Sequence, residues 1–504
     1  MIYLAIFFLI TKKMSLKSIV NIKAGVQSKE VVMDVRNHIK ARSYLYPDTN
    51  SKAPWIPTDT ITFTLNSAEM SYLNLNSSIL WAKVHLQYDG VVDTPAENEV
   101  MIYDIAKLFS RFRNLNAGNI LEDIQYYHRW MEMKRRMTQK LDPDSGLQQY
   151  TSRQPSPMCH AVAPYSTDTA YLINVSSAYT DNGMANQALY GDNALADIDR
   201  GQWFPIPFSC GLDGTQPSLY LPMYQLATKN QLEFTVNEWW EVFHPINAGQ
   251  GAPDEQALID GLQMYIMDTY IECIGLRCTE GAIKTPIPFV YKTIGVHGSS
   301  AEIASGKTRY DYSLDVSRSS VRNTLHSWTP IEANMKKVSV NVLPDVINKN
   351  INWMTSSTFD NFADFHAFPT VLPVEFAGYL GGTLYPYQQP IRLREMYTEF
   401  ERYRHQVDNS GIPIHDPNMA ICLATYTHQY LNVIPNVAAF LYGVIMYDPL
   451  DQIGSLIGGM DTDRYPFGTR VALREALKEN KMWNVFVEYW RVDTWAGGKI
   501  NIEE

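Results

Sequence analysis

Apolar and polar positions alternate along most of this chain, and the alternation has a two-residue period. In the stretch Ile79 to Tyr88, Leu80, Ala82, Val84, Leu86 and Tyr88 alternate with Lys83, His85 and Gln87. That is the signature of a strand buried on one face. Similar strand signals lie at Ile61–Leu65, Trp203–Phe208, Leu219–Pro222, Gln231–Val236, Leu262–Met267 and Cys273–Cys278. After a proline-marked junction at Pro286-Ile-Pro288 they resume at Tyr310–Val316, Lys337–Leu343, Met482–Trp490 and Lys499–Ile502. A helical period interrupts the pattern once in each half. Over Asn119–Met137, Ile120, Ile124, Tyr127 and Met131 form one stripe, and Asn119 is placed to cap the N-terminus. Glu122 and Asp123 open this segment and Lys134-Arg135-Arg136 closes it, complementing both poles of a helix. The second helix is expected over Arg392–Gln406, with Leu393, Met396, Tyr397 and Phe400 as its stripe. Thr469–Glu479 is compatible with a short helix or a strand. The expectation is an all-β chain of two tandem sandwiches, each with a short helix insertion.

Length supports the division. At 504 residues the chain exceeds the roughly 250–300 at which one hydrophobic core stops growing. The expected parts are an N-terminal arm at residues 1–55, a first sandwich at 56–285 and a second at 286–504. Residues 14–55 are polar and weakly patterned, ending in Ala53-Pro-Trp-Ile-Pro57, which reads as an arm lying on a surface. Residues 142–200, rich in Asp, Ser, Asn, Gly and Ala, read as an inter-strand insertion used for contacts. Met1–Ile10 is wholly apolar but too short for a bilayer, which takes about 20 helical residues. Lys12-Lys13 follow that run, whereas a signal peptide carries its charge before it. Residues 1–13 are therefore read as an upstream extension of the reading frame, with translation from Met14. A membrane-touching anchor is the alternative.

Composition changes the picture in two ways. Only 19% of residues are charged, below the usual ~25%, so much of the outside is expected to be covered by neighbours. The formal charge is −11 with no basic stripe, which argues against direct nucleic-acid binding. Candidate chemistry is sparse. Glu238-Trp-Trp-Glu241 places two acids beside tryptophan, as sugar chemistry requires. Acids three residues apart do not control carboxylate separation, however, and a packed tryptophan corner is favoured. Gly306-Lys307-Thr308 resembles the end of a phosphate loop, but the required earlier glycine is Ala301 and a strand follows. Cys159, Cys210, Cys273, Cys278 and Cys422 read as small buried hydrophobes. Cys273 and Cys278, five apart on a strand, point to opposite faces. Cys159-His160, His244, His297, His326 and His366 lack metal-ligand spacing. Asp142-Pro-Asp144 and Asp197-Ile-Asp199 could donate to Ca²⁺, although such residues are ordinary turn formers. No catalytic, cofactor-binding or metal residue is assigned.

Four stretches carry a family likeness. They are Ser71–Val84, a polar turn leading into a long strand, and Leu115–Tyr127, a loop entering a helix-like segment. The third is Trp203–Leu212, followed by Leu221-Pro222 and Gln231–Val236; the fourth is Val485–Val492 with Gly498–Ile502. In order and spacing the chain resembles the double jelly-roll major capsid proteins of eukaryotic double-stranded DNA viruses, especially the polinton-like virus and virophage group. The resemblance implies two eight-stranded jelly rolls and a homotrimer closing into a pseudo-hexagonal capsomer of an icosahedral capsid. It implies a place in the virion, contacts with neighbouring capsomers and with penton and minor capsid proteins, and no enzyme activity or cofactor. It leaves open an internal membrane. The competing expectation is a secreted carbohydrate-binding or carbohydrate-cleaving β-sandwich protein, with Asn76-Ser-Ser and Asn174-Val-Ser as glycosylation sites.

Overall fold

A computed structural model describes residues 38–131, 202–247, 262–278, 288–340, 373–392, 441–445 and 462–503, with short gaps inside those ranges, together with 18–20 and 31–33. The first half contributes eight main strands: β1 (His38–Leu45), β2 (Thr60–Leu65), β3 (Tyr72–Tyr88), β4 (Phe109–Asn116), β5 (Asn119–Gln125), β6 (Gln202–Ile206), β7 (Asn230–Val236) and β8 (Leu262–Cys278). They form two antiparallel sheets with the orders β1-β8-β3-β6 and β2-β7-β4-β5.

The second half repeats this arrangement with β9 (Phe289–Ile303), β10 (Arg309–Leu314), β11 (Val321–Pro330), β12 (Pro373–Leu380), β13 (Thr383–Leu384), β14 (Leu441–Ile445), β15 (Phe467–Leu473) and β16 (Lys481–Ala496). Its sheets run β9-β16-β11-β14 and β10-β15-β12-β13. Every strand of the first half has its counterpart eight places later in the same sheet position. The chain crosses between facing sheets at nearly every step, which is the double Greek-key order of a jelly roll. A short strand at Lys499–Glu503 extends along β16. A third sheet joins the halves: Phe243–Asn247 pairs antiparallel with Asn98–Ile102 and parallel with Ser339–Val340.

A tight hairpin within one sheet is built alike in both rolls. β4 and β5 meet across Ala117 (φ 53) and Gly118 (φ 82). β12 and β13 meet across Gly381 (φ 56) and Gly382 (φ 85). Two consecutive left-handed residues make the tight turn whose twist matches paired strands. This corrects the helix expected from Asn119. That residue starts a strand, and among the described residues helix covers 127–131, the rest of the expected helix to Met137 lying outside them. The stripe misled because Ile120 and Ile124, four apart, satisfy a period of two as well as 3.6. Ile124 is buried, while Ile120 is 56% exposed.

Other expectations shift similarly. The supposed surface arm supplies β1, an edge strand paired along β8. Trp55 is buried and bridges to Ile266, its indole donating to Ser51 Oγ at 2.8 Å. The two signals at Leu262–Met267 and Cys273–Cys278 are one strand with two register shifts. Leu219–Pro222 forms only a bridge, Leu221 to Leu73. The ambiguous segment after Thr469 opens as strand β15. Residues 1–13, the insertion at 142–200 and the second helix beyond Arg392 lie outside the described residues.

Each sandwich is filled by aromatics. In the first, Phe234 touches Phe109 (centroids 5.0 Å), Phe112 (5.1 Å), Phe208 (5.8 Å) and Phe63 (6.0 Å). In the second, Trp328 and Trp483 lie 5.5 Å apart in an edge contact, with Tyr310 and His326 against them. Phe234→Ala is expected to cost about 3–5 kcal/mol in urea denaturation, since it removes a ring from a fully enclosed position. Tyr465→Ala, on an exposed side chain, is expected to stay within about 0.5 kcal/mol.

Candidate functional site at the seam between the rolls

β16 carries the seam. Residues Trp483 to Tyr489 are buried without interruption, as happens when both faces of a strand are covered. Trp483, Val485 and Val487 belong to the core of the second roll. Phe486 belongs instead to the apolar cluster of the first roll, together with Phe289, Tyr291, Val296, Leu325, Trp495 and Ile500. The two rolls therefore share apolar contacts. The consecutive apolar residues Val485-Phe486-Val487, which break the alternation, were the available sequence signal for this.

A polar network is set into this contact. Arg491 and Asp493 are 1% and 0% exposed, and Arg491 Nη2 lies 2.9 Å from Asp493 Oδ2. Arg491 Nη1 also donates to Leu121 O at 3.3 Å, in the first roll. Tyr291 donates its hydroxyl to Asp493 Oδ2 at 3.2 Å. Gly211 links the sides through its carbonyl, which accepts from Thr293 Oγ1 at 2.6 Å, while its amide donates to Glu122 Oε2 at 2.8 Å within the first roll. A Cβ at Gly211 would fall 2.1 Å from Arg491 Nη2, so this glycine makes room for the guanidinium. Trp130 Nε1 donates to Glu488 Oε1 at 3.2 Å across the same boundary. Burial alone would lower the Arg491 pKa, but Asp493 and Glu122 reverse that and hold the charge. Burial, reinforced by Asp493, pushes the Tyr291 phenol well above its ordinary value. Farther along, the carbonyl of Gly498 accepts from Ala227 N (3.1 Å) and Thr228 Oγ1 (2.9 Å), and Asn116 Oδ1 accepts from Ile500 N (3.3 Å).

A second buried charged cluster lies in the first roll. Glu241 binds Arg129 Nη2 at 2.6 Å, and Lys107 Nζ and His128 Nε2 stand 3.7 and 3.9 Å away. Burial, aided by Arg129 and Lys107 and opposed by Glu241, lowers the His128 pKa to about 4. Glu241 is thus committed to holding cations. Trp239 is buried and edge-on to Trp240 at 5.8 Å. Glu238-Trp-Trp-Glu241 is a packed corner at a short helical turn, as favoured.

The remaining candidates do not converge. Gly306-Lys307-Thr308 is the turn from β9 to β10; Gly306 N donates to Leu477 O, and Lys307 O and Thr308 O accept from Leu477 N and Leu473 N. His326 is enclosed in the second core, where its Nδ1 accepts from Trp483 Nε1 at 3.1 Å and burial lowers its pKa to about 3. Cys210 and Cys273 are buried free thiols. Cys159, His160, His366, Cys422 and the aspartates at 142, 144, 197 and 199 lie outside the described residues. Among the described residues, no group of three His, Cys, Asp or Glu side chains could hold a metal ion. Among them, too, no helix is long and apolar enough to cross a membrane.

No protein-family profile matches this chain, and no curated protein does. Solved structures do. A chain of the PBCV-1 virus capsid quasi-atomic model superposes with a TM-score of 0.52 at 11% identity, covering 94% of this chain and 99% of that one. The PBCV-1 VP54 crystal structure fitted into a reconstruction of the virophage Sputnik gives 0.49 at 10% identity, covering 94% and 99%. The Faustovirus major capsid protein gives 0.48 at 9% identity, covering 90% of each chain. The first likeness is one of fold over the whole length, and it agrees with the repeated strand order: the chain is a double jelly roll.

Asp493→Ala would leave the buried Arg491 charge without its ion-pair partner, so a loss of about 3–5 kcal/mol is expected in urea denaturation. Hydrogen exchange should show peptides of both rolls losing protection together; loss confined to one roll would contradict the shared seam. Stability should also depend on acid. Unfolded histidine takes up a proton near pH 6.5, whereas His128 and His326 stay neutral down to about 4 and about 3. The unfolded chain therefore binds more protons in that window, and stability falls as pH drops from 6.5 to 4, by a few kcal/mol. Urea midpoints measured from pH 7 to 4 check this, and His326→Gln should flatten the slope.

Proposed function

We propose that this chain is the major capsid protein of an icosahedral double-stranded DNA virus, a structural subunit of the virion. The observation that carries the reading is the tandem repetition of one strand order in a single chain, together with the full-length likeness to a chain of the PBCV-1 virus capsid. Three copies, each supplying two rolls, would give six similar walls and a pseudo-hexagonal capsomer. The first roll runs to residue 285 and the second begins at 286. β1 belongs to the first roll, so the arm is confined to residues before His38. The low charge suits a surface largely covered by neighbouring capsomers and by penton and minor capsid proteins, since obligate interfaces are apolar and often exceed about 2,000 Å². In this role the protein catalyses nothing and reads no nucleic-acid sequence.

Light scattering on a sizing column is expected to return three times the 57.5 kDa chain mass. Electron micrographs of the same fraction should show threefold particles with a hexagonal outline. A folded species of single-chain mass at micromolar concentration would overturn the proposal.

A further inference from the structure

We propose that the aromatic outer face of the β1-β8-β3-β6 sheet is a contact surface for a second copy of this chain; the inference rests on the capsid reading and names a surface for it. Register places Glu272 beside Tyr44, Tyr270 beside Trp81, and Lys83 beside Trp203. Four rings surround Tyr270: Trp203 at 5.4 Å, Tyr44 at 5.6 Å, Tyr46 at 6.1 Å and Trp81 at 6.4 Å. Tyr44 and Tyr46 are 46% and 62% exposed. The outward face of an antiparallel sandwich is ordinarily polar. Here it is aromatic across all four strands, about 14 Å of sheet.

Three observations choose the occupant. The first is size. Tyr44 and Tyr46 keep about half of their area open and Trp81, Trp203 and Tyr270 part of theirs, so covering the five rings desolvates the centre of an interface that needs about 800 Å² per partner. Tyrosine, tryptophan and arginine are the residues enriched at such centres. The second is shape. A sugar strip needs coplanar rings, but Tyr44, Trp203 and Tyr46 tilt from Tyr270 by 77°, 57° and 50°, and only Trp81, at 23°, lies nearly parallel. A corrugated surface of edges and faces suits interdigitating side chains. The third is charge. Arg42 is ion-paired with Glu272, which also accepts from Trp81 Nε1 at 3.2 Å, and Lys83 stands opposite Asp268. The patch is neutral, so it offers a polyanion nothing. Two copies that each carry −11 repel least where both surfaces are uncharged.

The test is the double variant Tyr44→Glu/Tyr46→Glu, with both changes on exposed side chains. Oligomer mass is followed by light scattering across a dilution series, and fold by far-ultraviolet circular dichroism. The expected result is an assembled wild type and a variant of native spectrum whose association is at least ten-fold weaker. Should the double variant lose its β spectrum, Tyr46→Glu alone gives the same readout from the most exposed ring. A variant that assembles like the wild type overturns the inference and leaves the capsid reading intact. A wild type that stays monomeric overturns the capsid reading, and this inference with it. A lower melting temperature at unchanged mass places the cover within the chain's own fold and overturns the inference. Glycan-array binding lost in the variant at unchanged mass does so too, reassigning the face to carbohydrate.

Discussion

One strand buried on both faces is the constraint on which the molecule depends. β16 lends Trp483, Val485 and Val487 to one core and Phe486 to the other, so neither sandwich is complete without the same stretch of chain. Inter-domain contacts within a chain usually resemble transient interfaces and permit relative motion. A strand that is an interior element of two cores does not. The Arg491–Asp493 pair sharpens this, because an ion pair taken wholly out of water must keep its partners or leave an uncompensated charge. Arg491 finds one partner on its own strand and another at Leu121 O in the opposite roll. Sliding one roll against the other breaks the second contact, and Gly211 admits the guanidinium at only one place.

The repetition of topology does not extend to chemistry. Both rolls turn in-sheet hairpins with two left-handed residues. Yet the first core is a phenylalanine cluster around Phe234, and the second is a tryptophan pair with an enclosed histidine. The longest connections fall in corresponding places, residues 126–201 between β5 and β6 and residues 385–440 between β13 and β14. A jelly roll fixes its strand order while leaving such connections free in length.

What was legible in the sequence follows from what each element buries. β2, β7 and β10 face one core and water, so their alternation declared them. β16 was legible as a strand but not as a seam, because an apolar run alone does not say how many cores it feeds. β5 was misread because Ile120, Ile124 and the flanking charges satisfied a helix; the Ala117-Gly118 turn, which decides it, depends on backbone angles that sequence only hints at. β1 was missed because its alternation is weak, with the exposed tyrosines of one face set against half-buried residues on the other. The charged clusters at Arg491 and Glu241 were invisible, since their members lie hundreds of residues apart or beside unremarkable neighbours.

That blindness has a physical logic which also bears on function. A protein that acts by chemistry gathers titratable groups around a cleft, where water and substrate reach them. Among the described residues, the strongly perturbed groups are sealed in. His326 is enclosed by Trp483 and Phe376, His128 is fully buried, and Arg491 is closed into the seam. Groups so placed cannot meet a ligand; Arg491, held from both rolls, also resists a change in the angle between the two barrels. In the proposed capsid role that rigidity would matter, because an error in the angle between the two walls would be repeated at every contact with neighbouring copies. The charged pair is buried where the rolls meet, and the neutral aromatic face proposed for contacts between copies lies outside.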